Sequence, residues 1–193
     1  MTRAYRPDPI PRDVLLDLVA LASRAPSAGK TQGWHLVVLE GHDTRRFWDV
    51  TLPAEERGAF PWPRLLDAPV IALPLADPQA YLDRYSAPDK AHAGLGSRTE
   101  SWPVPYWTVD TAMSVQTFLL AADDAGFGAL FFGVFTGERQ LREDLGIPDH
   151  MQLLGAIALG YPVDPTGAAD RTKSTASRPK RRQPDEILHI GAW

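Results

Sequence analysis

The segment that most constrains the fold is VDTAMSVQTFLLAADDAG at residues 109–126, near the middle of the chain. Its apolar residues recur at helical spacing and also fill the middle of the segment, so little polar surface remains. A helix of this kind is buried nearly all round, either in a protein core or against a partner subunit. Gly126 and Gly128 are expected to end it. The segment therefore predicts one long central helix.

The composition is that of a globular chain. With 193 residues, 44% of them hydrophobic and 23% charged, the sequence is long enough for a single domain with a real core, which we place over residues 1–193. The net charge of −4 argues against nucleic acid as a partner. The absence of cysteine excludes disulfides, thiolate nucleophiles and iron–sulfur clusters, and the scattered histidines predict no metal site.

The N-terminus and the hydropathy pattern bear on location. MTRAYRPDPIPRD has neither the apolar core nor the cleavage site of a signal peptide. No apolar run approaches the roughly 20 residues that span a bilayer. We therefore expect a soluble, cytoplasmic protein with no membrane partner.

The remaining elements are mixed in order, which favours an α+β fold. A proline inside 68–76 suggests an edge strand or an early end. Residues 77–107 look irregular and form a candidate lid. The pattern predicts helices over 13–25, 43–51 and 137–147, and strands over 34–40, 68–76, 129–135 and 153–162.

The common motifs of nucleotide binding and of hydrolysis are absent. Gly94-Leu95-Gly96 lacks the third glycine of a dinucleotide fingerprint, and neither GxxxxGK[ST] nor GxSxG occurs. The tail from 163 to 193 is polar and then basic, with six Lys or Arg and no acid between Arg171 and Arg182. Such a short basic cluster beside a folded body suits a local anion such as a phosphate.

The loop APSAGKTQGW at residues 25–34 is crowded with small and polar residues before an apolar strand. It resembles the APSxxNxQPW segment of the nitroreductase-like flavoprotein family. Three further stretches resemble that family in its order along the chain: TRAYRPDPIP, then YWTVDTAMSVQTFLLAADDAGFGALFFG, then LREDLGIPDHMQLLGAIALGYP followed by RPKRRQPDEILHIGAW. The chain is identified on these motifs as a member of the family.

The resemblance implies a central mixed or antiparallel sheet flanked by helices, with an extended C-terminal arm. It also implies a homodimer that binds one FMN at each of two sites built from both subunits. The implied cofactor-binding residues are Thr2, Arg3, Ser27, Lys30, Gln32, Phe132, Gly133, Lys180 and Arg182.

Their roles follow from the same resemblance. Arg3, in the opening motif with Thr2, would lie near the pyrimidine edge of the flavin or its phosphate, where a cation stabilises the electron-rich reduced ring. Ser27 would hydrogen-bond the flavin with Gln32 close behind it. Backbone groups of Phe132 and Gly133 would lie near N5 of the ring. Lys180 and Arg182, which project to one side of an extended chain, would bind the FMN phosphate.

Simpler explanations exist for these residues taken singly. Ser27 fits a turn residue after Pro26, and Trp34 fits a core residue. Arg3 fits a terminal residue, and the two tail cations fit solvated charges. Only the joint order of the motifs favours the binding site.

The chain also departs from the family pattern. The family's opening carries an Arg and a Ser just before the position of Thr2, and this chain begins at Met1 without them. This departure would mean weaker FMN binding, a start site placed too late, or a replacement of the missing residues by Lys30 or Arg24. Lys30 stands where the family has Asn, and Gly33 where it has Pro. As a hypothesis, Lys30 supplies the missing charge.

The implied activity passes two electrons from NADH or NADPH through FMN to a flat conjugated acceptor, such as a nitroaromatic or a quinone, with ping-pong kinetics. Trp102, Tyr106 and Trp107 are the candidate lid that stacks on this small-molecule acceptor. No catalytic acid, base or nucleophile is expected, because the cofactor carries the chemistry. Two alternatives remain open: a catalytically weakened dimer that binds flavin or another small molecule, and a pathway-specific flavin oxidase or dehydrogenase.

Overall fold

The computed structural model describes residues 1–164 and 181–193. Within these residues, helices and strands are mixed in order, which confirms the α+β class. The helices are α1 (Arg12–Ala22), α2 (Thr44–Thr51), α3 (Pro78–Ser86), α4 (Tyr106–Asp124) and α5 (Glu138–Leu145). The strands are β1 (Tyr5–Arg6), β2 (Trp34–Glu40), β3 (Val70–Ala76), β4 (Gly128–Phe132), β5 (Gln152–Leu153) and β6 (Ala156–Pro162).

The six strands form one sheet in which every described pairing is antiparallel. Strand β6 lies at its centre, with β4 on one side and β3 on the other, and β3 in turn pairs with β2. In register, Leu130 of β4 is opposite Ala158 of β6, and Ala158 is opposite Ile71 of β3. The local order across the sheet is therefore β4, β6, β3, β2.

Helices cover both faces of the sheet, as the alternation of side chains in β3 shows. Val70 and Ala72 point to a core that includes Phe118 of α4 and Leu18 of α1. Ile71, Leu73 and Leu75 point to the opposite core, which includes residues of α2 and α5. The sheet is thus the middle layer of three.

Helix α4 was predicted to be buried nearly all round, and in the single chain it is not. Its inner face, with Val115 and Phe118, lies in the core. On its outer face Val109 is 37% exposed and Leu120 is 61% exposed. The apolar outer face remains uncovered in one copy of the chain.

Three local predictions were wrong. Strand β3 is central rather than at an edge. Its proline, Pro74, lies between the stretch of β3 that pairs with β6 and the stretch that pairs with β5, so no amide hydrogen is needed at this position. The Pro74 carbonyl accepts from Leu154 N at 3.0 Å. The segment 77–107 contains helix α3, which begins at Pro78 with Asp77 as its N-cap. The last predicted strand is divided at Gly155, whose φ is 147°.

The C-terminal residues 181–193 form an extended arm with one short 3-10 turn at Pro184–Glu186. All of them are exposed, and Ile190 and Trp193 are 88% and 99% exposed. The arm carries apolar side chains that this chain does not bury. Elsewhere in the described residues, no helix combines the length and apolar character required to cross a membrane.

Candidate functional site

Two groups of predicted residues lie at the same end of the sheet. Trp34, the first residue of β2, pairs with Ala76, the last of β3. Phe132, the last residue of β4, pairs with Ala156, the first of β6. The loop before β2 and the chain after β4 therefore share one sheet end, with strands β2 and β4 about 14 Å apart at the usual strand spacing.

The loop before β2, residues 27–33, has an unusual backbone. Gly29, Lys30 and Gln32 have φ angles of 62°, 57° and 55°, in the left-handed region. This region costs a residue with a side chain about 1–2 kcal/mol. Local bonds hold the shape: Gln32 N donates to Ser27 Oγ at 3.0 Å, and Thr31 Oγ1 donates to Ala28 O at 2.6 Å. Strain of this kind concentrates at binding sites.

Helix α3 clamps the loop from one side. Arg84 Nε donates to Gly29 O at 2.9 Å, and the same guanidinium makes a bidentate pair with Asp89 at 2.8 and 2.7 Å. The hydrogen bond from Arg84 lowers the pKa of Asp89 to about 2. Helix α3 packs closely on the loop: a Cβ at Gly29 would lie 2.9 Å from the Tyr85 ring. The left-handed backbone and this ring both require glycine there.

Helix α4 holds the loop from behind through Asp110. Its Oδ2 accepts from Ala28 N and from Tyr81 Oη, each at 2.7 Å. Burial and the hydrogen bond to Asp110 raise the pKa of Tyr81, so the phenol remains a donor. A small cavity behind the loop is lined by Ser27, Gln32, Tyr81 and Asp110 among others.

The side chains that the loop offers are polar. Ser27 Oγ accepts from Gln32 N, which leaves its own proton available to a ligand. Lys30 and Gln32 are exposed. The loop thus combines a hydroxyl, an amide and a cation within six residues, from 27 to 32.

At the end of β4, the side chain of Phe132 belongs to the core. It stacks on Trp48 with ring centroids 6.0 Å apart and meets Phe47 edge-on at 5.9 Å. Only its backbone is left for a ligand. At Gly133 a Cβ would come within 2.6 Å of the Phe135 ring, but that ring is 96% exposed and can turn away, so packing alone does not require glycine here.

The N-terminal pair lies at the other end of the sheet. Thr2 N donates to Ala129 O at 3.1 Å, near the start of β4, and the Arg3 guanidinium lies 5.2 Å from the centre of the Trp62 ring. The length of β4 separates this pair from Phe132 by about 10–13 Å. One chain therefore does not bring Thr2 and Arg3 together with Ser27.

Of the two tail residues predicted to bind phosphate, only Arg182 belongs to the described residues. Lys180 lies outside the described residues. Arg182 is exposed, and its guanidinium donates to the backbone carbonyl of Glu186. The binding of a phosphate by Lys180 and Arg182 together stays a prediction.

The predicted lid is mostly buried. Trp102 and Trp107 are 8% and 9% exposed and pack around Tyr81, with ring centroids 5.9 and 6.3 Å from it. Trp102 Nε1 donates to Leu95 O at 2.9 Å. Tyr106 is 37% exposed. Only Tyr106 of the three therefore presents a substantial ring surface for stacking.

Sequence reasoning missed Asp110, Tyr81 and Arg84. The one available signal was an acid near the start of an otherwise apolar helix, since a buried carboxylate needs hydrogen-bond donors. Nothing in the sequence identified those donors. Among the described residues, no cluster of three or more His, Asp or Glu could hold a metal ion.

Comparison with known proteins agrees with the fold and the motifs. The model of the Nitroreductase family matches residues 1–161. The NADH dehydrogenase of Thermus thermophilus is 29% identical over 180 residues, covering 84% of this chain and 82% of that protein. Nitroreductase NfnB of Mycolicibacterium smegmatis is 30% identical over 195 residues, covering 87% and 81%. A solved structure described as an oxidoreductase containing FMN aligns with a TM-score of 0.69 at 19% identity, covering 100% and 87%.

The family model spans the described sheet except for Pro162, the last residue of β6, and both groups of predicted site residues before the tail. The relatives are named for electron-transfer activities. The chain therefore belongs to the nitroreductase family, as an oxidoreductase of the nitroreductase type.

Proposed function

We propose that this oxidoreductase uses FMN to pass two electrons from NADH or NADPH to a flat conjugated acceptor, with ping-pong kinetics. The observation that carries the proposal is the strained 27–33 loop at the sheet end shared with Gly133. One of the solved structures with a similar fold is described as an oxidoreductase containing FMN. FMN, when bound, supplies the hydride and electron chemistry itself.

The donor set of the loop fits a flavin. The pyrimidine edge of the flavin carries carbonyl oxygens and ring nitrogens that need donors. Ser27 offers a hydroxyl, Gln32 an amide and Lys30 an ammonium. Gly133 lets the backbone after β4 approach a flat ring closely. These residues bind and orient the ring, and none of them is required as an acid or base.

Lys30 takes a particular place in this proposal. It is exposed in a left-handed conformation with φ 57°. A cation beside the flavin stabilises its electron-rich reduced form. Lys30 therefore supplies charge that the family's opening arginine supplies elsewhere. Lys180 and Arg182 would bind the phosphate of the cofactor.

We further propose a homodimer with each site built from both subunits. Two observations support it: one chain separates Thr2 and Arg3 from the 27–33 loop, and it leaves the outer face of α4 and the apolar arm uncovered. Large uncovered apolar surfaces are typical of subunit interfaces. A partner subunit would bring the two groups of residues to one flavin.

The acceptor is proposed to stack on an aromatic surface that includes Tyr106. Steady-state kinetics with NADH or NADPH and a quinone or nitroaromatic test the proposal. Parallel double-reciprocal plots are expected for the ping-pong order. Turnover that requires no flavin, or no consumption of NADH or NADPH with any such acceptor while flavin is bound, would contradict it.

A further inference from the structure

Helix α4 buries one acid, Asp110, which is 4% exposed. A carboxylate in that environment is costly unless hydrogen bonds satisfy it. Its Oδ2 receives two donors, the Ala28 amide and the Tyr81 phenol, both at 2.7 Å. The bond from Ala28 is short for an N–H···O hydrogen bond, as expected for a charged acceptor, and the bond from Tyr81 has the usual O–H···O length.

The two bonds join three separate parts of the fold. Ala28 belongs to the 27–33 loop, Tyr81 to α3 and Asp110 to α4. Tyr81 is itself held by the rings of Trp102 and Trp107 and packs so closely on Gly33 that a Cβ there would lie 2.8 Å from its Cε2 atom. Asp110 and Tyr81 therefore hold the loop near both of its ends.

The loop needs such support, because its conformation is unfavourable by itself. Lys30 and Gln32 both have positive φ, and the bonds within the loop involve only its own residues. A strained segment persists only where surrounding structure over-determines it. In the described residues, Asp110 is the buried charged group that contacts the loop.

We propose that Asp110, acting with Tyr81, is the positioning residue that sets the 27–33 loop and so presents Ser27 and Gln32 to the flavin. The effect on flavin binding rests on the proposed function. The restraint of the loop by Asp110 and Tyr81 does not, because it involves only residues of this chain. Asp110 acts through Ala28 and Tyr81 and does not itself touch the cofactor.

The first test compares FMN dissociation constants of three variants. Asp110→Leu removes the acceptor, and we expect FMN binding to weaken by about ten- to a hundredfold, as for small misplacements of binding groups. In Asp110→Asn the side-chain carbonyl can accept both bonds, so most of the affinity returns. Asp17→Leu, at an exposed position of α1, serves as the control.

A double-mutant cycle with Tyr81→Phe tests whether the two residues act as one unit. The combined loss in FMN affinity should be smaller than the product of the single losses, because the same restraint is removed twice. Independent, multiplicative losses would overturn the joint role. If Asp110→Leu does not fold, Tyr81→Phe alone removes one of the two bonds at Asp110 with the carboxylate kept.

The second test needs neither flavin nor activity. Lys-C protease cleaves after Lys30 only when the loop opens locally, and Lys90 provides an internal reference in the same chain. Without added FMN, cleavage at Lys30 should be about fivefold faster or more in Asp110→Leu, with cleavage at Lys90 unchanged. Asp110→Asn should resemble the wild type.

The outcomes separate the two proposals. A wild-type protein that binds no FMN defeats the proposed function, and the Lys-C result still decides the role of Asp110. FMN affinity and Lys30 cleavage that are both unchanged in Asp110→Leu would overturn the inference.

Discussion

Gly33 shows how a single residue is constrained by what packs on it. A Cβ at this position would lie 2.8 Å from the Tyr81 ring and 3.1 Å from Ala80 Cβ. We expect Gly33→Ala to lower the free energy of unfolding by about 1–3 kcal/mol, as overpacking does. Urea unfolding measures it. Gly58→Ala is the matched control, since nothing lies within 4 Å of its Cβ position. Equal effects of the two substitutions would contradict the packing argument.

Lys30 tests the origin of the positive charge at the site. A charge-assisted hydrogen bond contributes about 1.5–3 kcal/mol, so Lys30→Ala should weaken FMN binding by roughly tenfold or more. Fluorescence titration of FMN measures the dissociation constant. Lys90→Ala removes the same charge from another loop and should leave the constant unchanged. An unaltered constant in Lys30→Ala would remove this residue from the site.

Tyr81 makes stability depend on pH in the alkaline range. Burial raises its pKa in the folded protein above the ordinary value of about 10, so the unfolded chain loses this proton first. The wild type should therefore lose stability above pH 10 relative to Tyr81→Phe, by about 1.4 kcal/mol per pH unit. Below pH 10 the difference between the two proteins should be constant. Urea unfolding from pH 8 to pH 11 measures it, and parallel curves would contradict the shift.

The site could be predicted from the sequence only where its chemistry is local. Ser27, Lys30 and Gln32 were predicted as candidate site residues because they follow one another in a motif before a strand. Tyr81 and Asp110 were missed because tertiary packing alone brings them to Ala28, from 53 and 82 residues away. Trp102 and Trp107 were predicted as part of a lid that stacks on the acceptor, and their burial was not foreseen because aromatic rings in a proline-rich loop carry no signal of burial.

At the level of elements, the hydrophobic pattern predicted strands reliably, whereas the effect of prolines on helices and strands was predicted wrongly. Strand β2 has the predicted bounds of 34–40 because a continuous apolar run between turn residues defines it. Helix α3 was missed although Asp77-Pro78 is a helix start, with the Asp77 carboxylate accepting from Ala80 N at 3.2 Å. The expectation that Pro74 marks an edge strand was wrong because the sequence does not show which strands pair on either side of β3.

The outer face of α4 gives an element-scale prediction. Leu120 is exposed in the single chain, and an interface there would bury it. Leu120→Asp should shift the protein toward the monomer, because an unpaired buried charge costs several kcal/mol at an interface. Light scattering coupled to gel filtration measures the mass. Ala59→Asp, in an exposed turn, should leave the mass unchanged. A monomeric wild type would contradict the proposed dimer.

At the scale of the whole molecule, the resemblance implied a mixed or antiparallel sheet flanked by helices, and the structure confirms this with a sheet whose described pairings are all antiparallel. The arrangement of two subunits could not be derived in this way, since α4 alone indicated only that something covers it. The separation of Thr2 and Arg3 from the 27–33 loop became visible only with the register of β4 and β6. That separation is what makes a site shared between subunits the simplest account.

We propose above all that this chain binds FMN at the sheet end formed by the 27–33 loop and Gly133. The most direct measurement is the visible absorption spectrum of the purified protein after incubation with FMN and desalting, before and after NADH or NADPH is added. We expect a flavin band in the blue region that stays with the protein and bleaches on reduction. A colourless protein that retains no added FMN would contradict it.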